Sequence, residues 1–428
     1  MIDSRGSMVP TANLKFVFAI VITIAFYSFG TFGFFNLFGI ATGVKAFVVF
    51  YMIIGLICFQ GLGLGSSGRW PLALISLIFF GYYGFFLTLS AGSVLNGIVS
   101  SAVMWIMFVY LIYVEKKYII MISKSVVVIS AIFSAMGLFV FVAYSVPGNM
   151  DPNSIHLFDS DTGNNKVSAV SIYDYFSFTS GDGYEVFGRM FTRVKGFSNE
   201  PSSALVHYLA PVVLAFFMGK NYKVLGWILL VFMLFAVASL VGIIVIIFSF
   251  FAYIILRSPS RSFQNAVFSL GLVSTLTMLT YGDTLVSIIL TGGQDLYAST
   301  GYDLLARKEG SANVRLSGFS SSISTIVAYP LGGSGKETLS GLLLQLGLVG
   351  GVPVIIAASM CLSRLLKKVR LYFDSTHTKS GQYAASLLLS MAFIVSLMAG
   401  YGWDRVSGLI VILLMYRGLD VLQFKAER

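Results

Sequence analysis

The sequence predicts an all-α polytopic membrane protein of about twelve transmembrane helices, with two long loops on its outer side. Three observations lead there. The composition is 57% hydrophobic and only 11% charged, where soluble globular chains carry roughly 25% charged residues. Apolar stretches of about 20 residues recur from end to end, each long enough to cross a hydrocarbon core of ~30 Å as a helix. Basic residues are shared unequally between the two sides that such a chain would have. Positions 1–428 read as a single transmembrane domain, with a first long loop at 146–200 and a second at 282–337.

The spans follow in order, each with ends good to about a turn. The first covers 14–34 and the second 45–64. The Gly-rich turn GLGLGSSGRW leads into a third at 71–90. A fourth at 94–114 ends on Glu115-Lys116-Lys117, and a fifth covers 119–145. After the first long loop the sixth span starts at Pro201 and ends near Met218, because proline suits the first turn of a helix. The stretch Tyr222–Leu256 is too long for one crossing and is split near Ser239 into a seventh and an eighth span. The ninth covers 263–281. The tenth, eleventh and twelfth follow the second long loop at 338–362, 383–399 and 405–422. The first apolar segment has no small-residue cleavage site behind it and reads as a retained span.

Charge sets the orientation. With the N-terminus inside, the inner loops and ends hold 18 of the 28 basic residues, among them Lys116, Lys117, Lys220, Arg257, Arg261, Lys367, Lys368 and Arg370. The short outer loops hold two, Lys45 and Arg405, and the other eight lie in the long loops, where the positive-inside rule loses force. Both termini are therefore expected inside and both long loops outside. The net charge of +10 is a topology signal, and no nucleic-acid partner is expected. The two cysteines, Cys58 and Cys361, lie in apolar segments without metal or redox spacing.

The stretch RVKGFSNEPSSALVH, Arg193 to His207, concentrates polar chemistry beside the start of an apolar helix. Arg189, Arg193 and Lys195 come first. Guanidinium groups grip phosphate oxygens through paired hydrogen bonds and lysine acts as a point charge, although a basic loop can also rest on lipid headgroups. Glu200 precedes Pro201, at or beside the N-cap of the sixth span, where it can serve as a cap, a general base, or both. Desolvation would raise its pKa, whereas the cations and the helix dipole would lower it. Glu200, Ser203 and His207 share one helix face. His207 can orient Glu200, touch substrate, or pack against a serine of a neighbouring helix. Span interiors are otherwise nearly free of ionisable groups, which disfavours a solute pathway through the bilayer. Upstream, Asp159 and Asp161 form a D-x-D pair, a metal-holding pattern in some sugar transferases and a common solvated turn elsewhere. His156 is ambiguous in the same way.

In the second loop, Leu316, Phe319, Ile323, Ile326 and Val327 recur at helical spacing, as in an amphipathic helix lying at an interface. Arg315 opens this stretch. Pro330 ends it, and a Gly-rich turn places Lys336 just before the tenth span. This is no nucleotide-binding P-loop, since Pro330 stands where that motif needs glycine and Glu337 where it needs Ser or Thr.

Two motifs carry a resemblance. R-x-x-G-F-x-N-E-P-S, at Arg193, Gly196, Phe197, Asn199, Glu200, Pro201 and Ser202, resembles bacterial O-antigen polymerases of the Wzy type. So does an Arg about fifteen residues before P-L-x-G-x-G, here Arg315 with Pro330, Leu331, Gly333 and Gly335. The resemblance implies a glycosyltransferase of lipopolysaccharide biosynthesis at the outer face of the bacterial inner membrane. Its substrate would be a polyprenyl-pyrophosphate-linked oligosaccharide, with the growing glycan transferred to a new lipid-linked repeat unit. Arg193, Arg315 and Glu200 would be its catalytic residues, and Arg189, Lys195, His207 and Lys336 would bind substrate. The donor is already activated, so no cofactor and no metal are expected. Membrane lipid, a chain-length regulator and a flippase would be its partners.

Two alternatives remain at this stage. Related ligases that move glycan onto the lipid A core share the architecture but carry a histidine in the second loop, and none lies between His207 and His377. A lipid-linked oligosaccharide flippase would need polar groups along a central cavity, and the spans hold few.

Overall fold

The computed structural model describes residues 76–77, 80–81, 94–113, 116–145, 179–186, 189–194, 201–237, 240–270, 362–397 and 413–418. The first two expected spans, most of the third and tenth, and the whole second long loop lie outside the described residues. In order, the described elements begin with α1 (Val94–Tyr113) and α2 (Lys116–Ser145). Strands β1 (Thr179–Val186) and β2 (Arg189–Val194) come next. Helix α3 (Pro201–Phe217) is followed by α4 (Lys220–Val231), which continues as a π-helical segment, Phe232–Val237. Helix α5 (Leu240–Arg257) precedes α6 (261–270) and α7 (362–375). The last are α8 (Lys379–Leu397) and α9 (413–418).

Four sequence expectations meet described helices. Helix α3 begins at Pro201, where the absent proline N–H costs nothing. Helices α1 and α2 cover the fourth and fifth stretches. Helix α8 begins four residues before the expected start of the eleventh span. The reason is local: Thr378 Oγ1 accepts a hydrogen bond from the Gly381 N–H at 3.3 Å, capping the helix at Lys379.

The described residues are overwhelmingly helical, as expected, with one addition. The first long loop contains an antiparallel hairpin, with Val186 paired to Arg189, Tyr184 to Phe191 and Thr179 to Val194. Two residues, Phe187-Gly188, separate the strands, and β-branched and aromatic residues punctuate both. An isolated hairpin is marginal in water, and this one is supported from outside. Phe191 stacks on Phe141 of α2, with ring centroids 6.1 Å apart and an interplanar angle of 17°. Val194 is fully buried.

The helices share one apolar core. Helices α3 and α4 run antiparallel, turned by Met218 and by Gly219, whose φ of 105° suits glycine. Phe216 packs edge-on against Trp227, with centroids 5.4 Å apart, and Tyr208 meets Phe232 at 4.8 Å. The π segment carries one extra residue per turn and buries Phe232, Met233, Ala236 and Val237. Phe232 also lies against Gly137 of α2, where an added Cβ would come within 2.3 Å of its ring. Helices α5 and α8 pack along their length and are tied by a partly buried hydrogen bond that Ser249 Oγ donates to the Tyr383 hydroxyl at 2.9 Å.

Among the described residues, the helical stretches Ile119–Ala143 and Lys220–Val237 are long and apolar enough to cross a bilayer. Their outward faces are apolar too. Phe139 is 76% exposed and Trp227 56%, and α5 exposes Ile247, Phe248, Phe250, Phe251 and Ile254. A helix apolar on every side does not match a water-facing surface.

The described helices have two distinct ends. The hairpin, Phe141, Tyr208 and Phe232 gather at one. At the other, Phe217 meets Tyr372 with centroids 5.1 Å apart, and Tyr253 meets Phe373 at 5.8 Å. The starts of α2 and α4 and the end of α5 lie toward this second end, with Lys116, Lys220 and Arg257. Helix α7 joins them with Arg364, Lys367, Lys368 and Arg370.

Candidate functional site

The candidate stretch is placed from both flanks. Arg189 opens β2 and Arg193 is its penultimate residue. Strand alternation assigns positions 189, 191 and 193 to one face of β2. The neighbours of Arg193 in the chain fix the strand: Phe191 on Phe141, and Val194 in the core. Strand β2 rests on α2 and on the π segment.

Helix α3 rests on the same two supports. The six residues from Lys195 to Glu200 join Val194 to Pro201, a reach of at most about 25 Å. The strand bearing two arginines is thus tethered close to the start of α3. His207 is the seventh residue of α3, about 9 Å along the axis from Pro201. Its neighbour Tyr208 is fully buried against Phe232. The stretch from 189 to 208 is therefore anchored through Phe191, Val194 and Tyr208, all on one side of the bundle.

A feature overlooked in the sequence sits beside His207. Pro211 lies inside α3, four residues on. It has no N–H, so the His207 carbonyl loses its intrahelical donor. That leaves a backbone acceptor at His207, and the spacing H-x-x-x-P was readable in the chain. The hairpin signal was readable as well, in TSGDGYEV and RMFTRV around Phe187-Gly188.

Arg189 and Arg193 lie on β2 and His207 on α3, two elements that each rest on α2 and the π segment. Lys195, Glu200, Arg315 and Lys336 lie outside the described residues, as do Asp159, Asp161 and His156. Among the described residues no group of three or more His, Cys, Asp or Glu is placed to hold a metal ion.

No protein-family model matches the chain, and no curated protein or solved structure matches it either. The functional reading rests on residues alone.

The described ionisable side chains with resolved interactions cluster at the other end of the bundle. Arg261 donates to Asp374 Oδ2 at 2.5 Å, and Arg370 donates to Asn265 Oδ1 at 2.8 Å. Partial burial holds the Arg370 guanidinium below its usual pKa, helped by repulsion from Arg261 and opposed by Asp374. Burial pushes the Tyr372 hydroxyl up, partly offset by its hydrogen bond with Thr376.

Proposed function

We propose that this protein is a glycan polymerase of the bacterial inner membrane. It joins a growing polyprenyl-pyrophosphate-linked chain to a new lipid-linked repeat unit on the outer face. Its fold is read as about twelve spans with both termini inside. The observation that carries this reading is the Arg189–Arg193 strand. It is held on α2 and the π segment, tethered to the Pro201 helix start, and set at the end of the bundle opposite the basic residues of α7. A phosphate-directed site on the outer face needs that placement.

In this reading Arg193 supplies fixed positive charge to the pyrophosphate as it leaves, and Arg315 does so from the second loop. Glu200 removes the proton from the attacking sugar hydroxyl. The new glycosidic bond forms at the anomeric carbon as the bond from that carbon to the phosphate oxygen breaks. Polyprenyl pyrophosphate departs with the bonding electrons. Arg189, Lys195, His207 and Lys336 hold the substrate.

The test is complementation of a strain lacking this chain. Arg193→Ala, Glu200→Ala and Arg315→Ala should each reach the membrane yet leave lipopolysaccharide with a single repeat. Loss of an oxyanion-type donor lowers turnover by about 10²–10³-fold, enough to remove long chains from a gel. Normal long chains in all three would reject the site. Loss of even the single-repeat product would indicate lipid transport instead. Reporter fusions at Asn153 and Gly310 should both report the outer compartment.

A further inference from the structure

The end of the bundle away from the hairpin carries a second polar feature, which the glycan reading does not use. A cleft of about 450 Å³ opens between the connection 258–260 and the connection 376–378. Its walls include Arg257, Arg261, Gln264, Asp374, His377 and Gln382.

The scaffold of this cleft is built and closed. Gln264 is buried, and its Nε2 donates to the carbonyls of Leu256 at 3.1 Å and Ser258 at 2.8 Å. Gln382 Nε2 donates to the carbonyl of Thr376 at 3.1 Å. Ser260 Oγ accepts from the Phe263 N–H at 3.2 Å and caps α6, as Thr378 caps α8. Both connections are thereby held in one shape, and two helix N-termini flank the opening.

Charge in the cleft is unbalanced. The one carboxylate on the wall, Asp374, already accepts from Arg261. Arg257 and His377 are exposed on the wall and have no ion-pair partner among the described residues. Two guanidiniums and an imidazole thus stand against one acid. A cation would meet a single, occupied carboxylate, whereas an anion would meet free N–H donors. Exposed Ile254, Phe263 and Leu371 lie within a turn of the wall residues, so an anion carrying an apolar tail would fit better than a free one.

We propose that this cleft binds a phosphate group, with Arg257 and His377 as its open donors and Arg261 shared between the phosphate and Asp374. Two sources have this chemistry: the headgroup of an anionic phospholipid, and free phosphate. The inference stands independently of the glycan reading.

The experiment uses the full chain purified in a neutral detergent. Phosphatidylglycerol and phosphatidylcholine are titrated separately and bound lipid is counted by native mass spectrometry. Inorganic phosphate is titrated in a parallel arm against chloride at equal ionic strength, with thermal stability as the readout. The variants are Arg257→Gln and His377→Gln, both at exposed positions, and Lys223→Gln as a basic control outside the cleft. Wild type should bind phosphatidylglycerol over phosphatidylcholine. Arg257→Gln should weaken that binding about tenfold, the loss of one charge-assisted hydrogen bond, and Lys223→Gln should not. A phosphate response with no preference between the two lipids, lost in Arg257→Gln, supports the site and assigns it to free phosphate. The proposal is overturned if neither probe binds, or if Arg257→Gln and Lys223→Gln behave alike.

Discussion

The two ends of this bundle are held together by different forces. At the hairpin end the contacts are apolar and aromatic: Phe191 on Phe141, Tyr208 on Phe232, and Phe232 pressed to Gly137. At the other end the aromatic pairs Phe217–Tyr372 and Tyr253–Phe373 are joined by polar ties: Arg261 to Asp374, Arg370 to Asn265, and the amides of Gln264 and Gln382 on backbone carbonyls. The contrast suits the two proposed tasks. An apolar mount can hold an arginine-bearing strand in place through Phe191 and Val194. A polar mount fixes two short connections, because each buried carbonyl needs a donor.

The largest expected effect separates the ends. Phe232→Ala removes a fully buried ring at the hub of the hairpin end, at a cost of about 3–5 kcal/mol. Hydrogen exchange should show the β1–β2 amides losing protection while α6 and α7 keep theirs. Equal loss at both ends would show that they are one cooperative unit. Gly137→Ala probes the same hub from α2. The new methyl must displace the Phe232 ring, an overpacking cost of about 1–3 kcal/mol, read as a lower midpoint in thermal unfolding. An unchanged midpoint would mean the ring has room to move.

At the polar end the effects should be smaller. Tyr372 is buried and its hydroxyl titrates above the ordinary phenol value. The stability it contributes is therefore full below about pH 10 and is lost as pH rises through its folded value, because the unfolded chain gives up the proton first. Tyr372→Phe should flatten the alkaline fall in stability, and an unaltered alkaline limb would refute the assignment. The smallest effect belongs to Arg261→Ala. Both partners of that ion pair are about half exposed, so its loss should cost less than about 1 kcal/mol. A loss as large as that of Phe232→Ala would mean that the polar end is carried by this one pair.

Local chemistry was legible along the chain. Proline at 201 marks a helix start, and threonine at 378 and serine at 260 are caps that the sequence reading passed over. The hairpin was legible in principle and was missed, since its alternation is diluted by glycine and acid in TSGDGYEV. The polar cleft was not legible. Its wall residues lie more than a hundred positions apart, as Arg261 and Asp374 do, and no local pattern announces such a meeting. Of the candidate site, the chain displayed the residue types and their spacing. The mount that holds Arg189 and Arg193 depends on Phe141 and on the π segment, which are distant in sequence.

By itself, then, the sequence determined that the described segments are helical and apolar, and that one of them begins at Pro201, because propensity and hydrophobic length act over a few neighbouring residues. The tertiary structure alone decided that a strand docks on α2, that a π turn supports it, and that two connections enclose a cationic cleft. Those outcomes depend on which distant surfaces fit one another, and shape complementarity is a property of the packed chain.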